Sequence, residues 1–299
     1  MSNDVTKEIS AFPQVEFQTR PKILPGVELI ELDSLYGRAS NFDHNIFAPH
    51  RVNFHHLMYI TESTGTHLID FNNHSYEAGS CIAINAGQVH AFDSKKTSQG
   101  YLIIFTQAFL DTVRTTIRVP NFLSGFYTST DTQILTVQDP EKESFEALLK
   151  ELLAVKGEKP HDELICQLLF TALVLKLDQM RPVSEENQVS EERRQHFVRF
   201  LSLVEEKFCS LKNVTLYADL MGMTYKSLNV TCKLVTNRTP KQIIDAHTIL
   251  EAKRRLAIEN IQVTQLAYEL GFNDVSNFAK YFKRHTLMTP HQFRANLNK

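Results

Sequence analysis

The spacing of hydrophobic positions changes along the chain, and each change predicts a different kind of element. Up to about residue 137 they come in short runs rich in Ile, Leu, Phe and Tyr: Phe54 to Thr61, Gly65 to Phe71, Ser80 to Asn85 and Gly100 to Thr106. Glu62-Ser-Thr-Gly65, Asn72-Asn73 and Ala86-Gly87 supply turns between them. Several short strands at this spacing predict a small barrel or sandwich. From Asp139 the period lengthens. Phe145, Leu148, Leu149, Leu152 and Leu153 share one helical face, Gly157 and Pro160 interrupt, and Leu164, Ile165, Leu168, Leu169, Ala172 and Leu175 form a second helix. The two make an apolar antiparallel hairpin, and its surplus apolar surface marks it as the candidate dimer interface. Arg181 to Ser190 is polar, contains a Pro and has no period, which predicts a linker. Everything beyond reads as helical, with breaks at Asn213, Gly222, Asn237, Gly271 and Pro290.

A weak internal repeat runs through this helical part. Ala218, Met221 and Gly222 recur as Ala267, Leu270 and Gly271, and Leu228, Cys232, Lys233 and Thr239-Pro240 recur as Phe278, Phe282, Lys283 and Thr289-Pro290. The register slips by one residue in the turn after the Gly, where an insertion costs least. Each copy is a short helix, a Gly able to take positive φ, and a second helix with apolar anchors, which is the helix-turn-helix pattern in duplicate. Thr239 to Ala257 predicts one connecting helix, roughly 28 Å long at about 1.5 Å per residue. Major-groove turns on one face of DNA lie roughly 34 Å apart, so the two copies are spaced to enter successive turns.

Composition and charge sharpen the picture. The chain has 299 residues, 42% hydrophobic, with 10 Gly and 10 Pro, which excludes fibrous, low-complexity and disordered classes. Met1 to Ser10 lacks an apolar core, so no signal peptide is expected, and the longest apolar stretch, Leu164 to Leu177, is too short to span a bilayer. Cys81, Cys166, Cys209 and Cys232 are scattered without a CxxC pair, as expected of reduced thiols in a cytoplasmic protein. The net charge of −2 conceals an asymmetry. Residues 190–299 hold 17 Lys and Arg against 10 Asp and Glu, a surplus of seven, whereas residues 1–189 hold 15 against 24, a deficit of nine. A basic helical half joined to an acidic body is the asymmetry expected when one half meets a polyanion. Lys226, Lys233, Arg238 and Lys241 in the first copy, Lys253, Arg254 and Arg255 on the spacer, and Lys280, Lys283 and Arg284 in the second are the candidate phosphate contacts.

The run Ile261-x4-Leu266-Ala267-x3-Gly271-Phe272-x-Asp274-x-Ser276-x-Phe278-x-Lys280-x-Phe282-Lys283-Arg284, followed by Thr289-Pro290-x2-Phe293-Arg294, resembles the C-terminal signature of AraC/XylS-type bacterial transcriptional regulators. The resemblance covers about residues 195–297. It implies an α+β protein with a cupin-like β-barrel that senses an effector (residues 1–138) and a helical dimerisation hairpin (139–181). A linker (182–191) and an all-α double helix-turn-helix that binds DNA (192–299) follow. Carried over by position, the recognition helices are Thr224 to Val235, with Tyr225, Lys226 and Asn229 facing the groove, and Asp274 to Arg284, with Val275, Ser276, Asn277 and Lys280 facing it. Two positions depart from the family pattern. Val230 stands where many members have Arg, so a guanine contact is expected to be either missing or replaced by contact with a thymine methyl. Leu287-Met288 displaces the Gly usual before Thr289-Pro290. Phe278, Phe282 and Phe293 occupy the apolar face and are expected in the core.

In the first half, His50-Arg51-Val52 and Gly79-x5-Asn85-Ala86-Gly87-x2-His90 resemble the paired motifs of cupin barrels. Cupin enzymes hold a metal with two His one residue apart, a following Glu and a His in the second motif. Val52 replaces the second His here and no Glu follows before Glu62, leaving His50 and His90. His56 offers a third imidazole, or else one polar group on an apolar face, because alternation puts Val52, Phe54, His56, Met58 and Ile60 together. The expectation is a partly apolar pocket for a small organic effector, touched by His50, Val52, Phe54, His56, Met58 and His90, with Arg51 on the opposite face. Phe12 to Arg20 is either a lid over the barrel mouth or a frayed terminus. The chain is thus expected to be a cytoplasmic, homodimeric, non-enzymatic regulator without a cofactor or bound metal. Its expected partners are double-stranded promoter DNA, an effector and, if it activates, RNA polymerase. Two alternatives stay open: a metal-dependent cupin enzyme with a helical regulatory tail, and an effector-independent regulator answering to a protein partner.

Overall fold

The computed structural model describes residues 13–17, 24–94, 97–117, 134–180, 190–258 and 260–297. Most of the predicted linker and part of the Phe12 to Arg20 stretch lie outside these residues. The strands are β1 (Gln14–Val15), β2 (Val27–Glu31), β3 (His50–Val52), β4 (His55–Glu62), β5 (Gly65–Ile69), β6 (Asn72–Tyr76), β7 (Ser80–Ile84), β8 (Val89–Ala91), β9 (Gln99–Phe105) and β10 (Ile134–Thr136). They form two five-stranded sheets, in the orders β1-β3-β8-β5-β6 and β10-β7-β4-β9-β2. Helices α1 (Leu32–Gly37), α2 (Gln107–Ile117), α3 (Glu141–Ala154) and α4 (Asp162–Gln179) accompany them.

Alternation along the central strands separates two cores. In β4 and β9, Met58, Ile60, Leu102 and Ile104 join Val52, Phe54, Ile82 and Ile84 in a core between the sheets. The residues between them, Leu57, Tyr59, Ile103 and Phe105, turn to the other face and meet Phe145, Leu149, Phe170 and Leu173 of α3 and α4. Both faces of β4 are therefore buried, which a search for half-polar alternation does not anticipate. The helical hairpin, expected as a unit of its own, instead completes the second core of the sensing half. Fully burying a Phe such as Phe145 or Phe170 stabilises this contact by about 1.5–3 kcal/mol each. The structure also moves one predicted turn. Asn72 and Asn73 pair within β6, and the β5–β6 hairpin turns at Asp70 and Phe71, with φ of 45° and 71°.

The basic half is built from α5 (Glu191–Lys207), α6 (Val214–Leu220), α7 (Tyr225–Thr236), α8 (Pro240–Ile258), α9 (Val263–Glu269), α10 (Val275–Thr286) and α11 (Pro290–Leu297). The repeat extends to the ends of its helices. Thr239 and Gln242 form a capping box at the start of α8, with N–H to Oε1 and Oγ1 distances of 2.8 and 3.2 Å. Thr289 and Gln292 repeat it at α11 with 2.9 and 3.2 Å. Thr224 caps α7 by accepting from the Ser227 N–H, and Asp274 caps α10 by accepting from the Ser276 N–H. The α8 helix is shared. Its Ile243 and Ile244 belong to the core around Phe200, Tyr217 and Leu228, whereas Ile249, Ala252 and Leu256 belong to the core around Phe278 and Phe282.

Candidate effector cavity and nucleic-acid interface

A cavity of about 130 Å³ opens into the core between the sheets. His50, Val52, Phe54, His56 and His90 line it as expected, whereas Met58 sits in the core behind it and does not reach the wall. Phe17, Arg38, His44 and Phe92 line it too. Phe17 belongs to the stretch expected as a lid or a frayed terminus, whereas Arg38, His44 and Phe92 were not anticipated because they come from coil or element ends, where no period exists to assign a face. Phe17 does lie at the mouth, its N–H donating to Asn53 Oδ1 at 3.0 Å and its ring edge-on to Phe54 at 6.0 Å.

The wall is a stack of imidazoles. Ring centroids lie 4.8 Å apart for His44 and His50, 4.3 Å for His50 and His90, and 4.9 Å for His56 and His90. His50 Nδ1–H donates to the Ala48 carbonyl at 3.0 Å, and His67 Nε2 and His90 Nδ1 share a hydrogen bond of 3.1 Å. Both ring nitrogens of His56, and Nε2 of His90, are buried without a partner among the described residues. Burial depresses four of the rings, pushing His50 down to about 4 and His67 to about 3 and taking His56 and His90 well below the ordinary 6.5. These four rings are therefore neutral at physiological pH, each with one donor and one acceptor nitrogen. No three His, Cys, Asp or Glu side chains among the described residues are placed to hold a metal ion. The wall can instead hydrogen-bond an uncharged polar group while its Val, Ile and Phe side chains take an apolar one.

On the basic half, α7 and α10 present the side chains expected to face DNA. Tyr225, Lys226, Val230 and Lys233 of α7 are exposed, as are Ser276, Asn277, Lys280, Lys283 and Arg284 of α10. Val275, Asn229 and Arg238 are half-buried, and Asn229 Oδ1 has no partner among the described residues. Phe278, Phe282 and Phe293 are buried, as expected. The spacer residues need correcting. Arg254 is only 4% exposed, with Nε and Nη2 donating to Asp70 Oδ1 and Oδ2 at 2.9 and 2.8 Å. Lys253 is half-buried, its ammonium 5.9 Å from the centre of the Phe293 ring, and Arg255 pairs with Glu269. The basic run on α8 is thus engaged within the protein, and neither Lys253 nor Arg254 is free for a phosphate in this arrangement. Charge alone could not reveal this, because the partner of Arg254 lies 184 residues away.

Asp70 and Arg254 belong to a contact between the two halves. Arg51 Nη2 donates to both carboxylate oxygens of Glu251 at 3.0 Å, and its Nε donates to the Gly87 carbonyl at 2.9 Å. A second cavity, of about 330 Å³, lies along this contact between Arg51, His55 and Gln107 on one side and Phe208, His247 and Glu251 on the other.

Comparison with known proteins agrees with this division. An AraC-like ligand binding domain matches residues 34–174, and a helix-turn-helix domain matches residues 217–296. The HTH-type transcriptional activator RhaS of Yersinia pestis bv. Antiqua (strain Angola) is 23% identical over 258 residues, spanning 84% of this chain and 90% of the relative. RhaS of Yersinia pseudotuberculosis serotype I (strain IP32953) gives the same identity over the same shares. Among solved structures, ToxT from Vibrio cholerae superimposes with a TM-score of 0.43 at 12% identity, covering 90% of this chain and 98% of that one. The chain belongs to the AraC family of transcriptional regulators, with an AraC-like ligand-binding domain ahead of a DNA-binding helix-turn-helix domain.

Proposed function

We propose that this regulator takes a small, uncharged effector into the histidine-walled cavity and reads promoter DNA with α7 and α10. The observation that carries the effector site is the set of buried, unpartnered nitrogens on His56 and His90. An unpaired buried polar atom costs free energy that a guest hydroxyl or carbonyl recovers. The four neutral rings suit an uncharged polar group on the guest, with Arg38, Glu28 and Asp43 elsewhere on the lining. The cavity's size favours a small guest. His50, Val52, Phe54, His56 and His90 contact it, and Met58 supports the wall from behind.

For DNA, Tyr225, Lys226, Asn229, Val275, Ser276, Asn277 and Lys280 are assigned to the grooves, with Lys233, Arg238, Lys283 and Arg284 at phosphates. Two twelve-residue recognition helices joined by one shared 19-residue helix support this reading. Exposed Leu164, Ile165 and Leu168 on α4 supply the surface for a homodimer. Action at promoters puts the protein in the bacterial cytoplasm, with RNA polymerase as a further contact if it activates, and no catalytic role is assigned. The reading is tested by titrating duplex DNA into the full-length protein across salt concentrations. Affinity should fall steeply as salt rises, with a slope of about −0.9 for each phosphate neutralised. A salt-insensitive or absent interaction would refute it.

A further inference from the structure

The contact between the halves lies directly behind the effector cavity. On β3, His50 and Val52 face the cavity while Arg51, between them, points the other way and grips Glu251 of α8. On β8, His90 faces the cavity, and the preceding residues hold Asp70: Gln88 Nε2 donates to its Oδ2 at 2.6 Å and the Val89 N–H to its Oδ1 at 3.2 Å. Asp70 in turn grips Arg254. β3 is thus two-faced, with imidazole His50 on one side and an ion pair to α8 on the other, and β8, whose His90 pairs with His50, holds the carboxylate of the second ion pair through Gln88 and the Val89 N–H.

The turn that carries Asp70 is also unusual. Asp70 and Phe71 both have positive φ, a geometry that Asn-Gly normally supplies to a two-residue hairpin and that a Phe adopts only at a cost. That conformation coincides with the interdomain contact: Asp70 meets Arg254 and the Phe71 ring packs edge-on to Phe293 at 5.5 Å. On the receiving side, α8 is the helix common to both helix-turn-helix cores. Asp245, which accepts from Tyr281 Oη of α10 at 2.8 Å, lies nine residues before Arg254. At about 100° per residue the two are on opposite faces of α8, so one face holds a recognition helix and the other is held by the sensing half.

We propose that the Arg51–Glu251 and Asp70–Arg254 pairs are the coupling element of the regulator: they transmit the state of the cavity wall on β3 and β8 to α8, and so to the relative placement of α7 and α10. This rests on the effector and DNA readings above and names how the two sites communicate. Coupling between two sites is reciprocal, so DNA bound at α7 and α10 must alter the cavity as a guest alters DNA binding. No effector is needed to test it.

Full-length protein labelled at its histidines is titrated with a random-sequence duplex of about 30 base pairs, long enough for two major-groove turns. The ring signals of His50 and His90 are followed by NMR. In the wild type these signals should shift as DNA binds. In Asp70→Asn/Glu251→Gln the duplex should still bind but the shift should be lost, and the charge-reversed pair Arg51→Glu/Glu251→Arg, with Asp70 intact, should regain it. DNA binding that leaves the wild-type signals unmoved overturns the proposal, and so does a shift that persists in the double variant. If no duplex binds, the DNA reading fails separately. The coupling is then judged by Glu251→Gln alone: displaced His50 and His90 signals sustain it, and unchanged signals end it.

Discussion

Single residues in the two repeats show how far local chemistry reaches. Gly222 and Gly271 are equivalent and both have positive φ, at 68° and 78°. A Cβ on Gly222 would meet nothing within 4 Å, whereas one on Gly271 would run into the Cys209 carbonyl. Gly222→Ala should therefore cost about 1 kcal/mol, the ordinary penalty of left-handed backbone, and Gly271→Ala should cost clearly more. Urea unfolding followed by far-ultraviolet circular dichroism measures both, and equal losses would show that the Cys209 backbone yields. The C-caps of the two recognition helices differ in the opposite sense. Asn237 ends α7 at φ 56° and Leu287 ends α10 at φ 63°, where Leu is 87% exposed and contributes little packing. Leu287→Asn should stabilise the chain by about 1 kcal/mol in the same measurement. The sequence showed that Leu287 broke the family pattern. Only the backbone geometry shows that the position keeps the left-handed cap despite it.

At the scale of elements, the imidazole stack joins β3, β4, β5 and β8, and its titration is a property of the whole stack. His50, His56, His67 and His90 are all depressed by burial, while the unfolded chain titrates near 6.5. Above about pH 7 neither state binds these protons and they leave stability unchanged. Below about 6.5 the unfolded chain takes protons that the folded chain refuses, so stability falls by about 1.4 kcal/mol per pH unit for each such histidine, down towards pH 4. Denaturant midpoints of the sensing half between pH 8 and pH 5 measure this, and a flat profile would mean that the rings are solvated. Of the strands carrying the stack, β4 and β5 were legible from residue spacing, to within one or two positions at their ends, whereas the three-residue β3 and β8 are too short to show a period. The assignment of Phe54, His56, Met58 and Ile60 to one face held because alternation dictates it. That Leu57 and Tyr59 form a second core was not legible, since a strand buried on both faces shows no polar side to count.

For the whole molecule, the question is what covers α4. Its inner side chains, Phe170 and Leu173 among them, are buried against the sheet, while Leu164, Ile165 and Leu168 are 44%, 43% and 51% exposed. A second copy would cover them, and Leu168→Asp should then yield a monomer by analytical ultracentrifugation without unfolding the chain. An unchanged oligomer would put the interface elsewhere. The sequence by itself determined the α+β division, the duplicated helix-turn-helix, the basic surplus of its second half and the family motif, because these depend on periodicity and composition within short stretches. Tertiary structure decided which residues lie across from one another. It showed the hairpin fused to the sensing core, Met58 set behind the cavity wall, and Arg254 drawn from the expected DNA face to Asp70. The reason is physical: a lysine or arginine looks alike in any window of sequence, and whether it meets phosphate, water or a carboxylate depends on a distant chain segment, which for Arg254 lies 184 residues away.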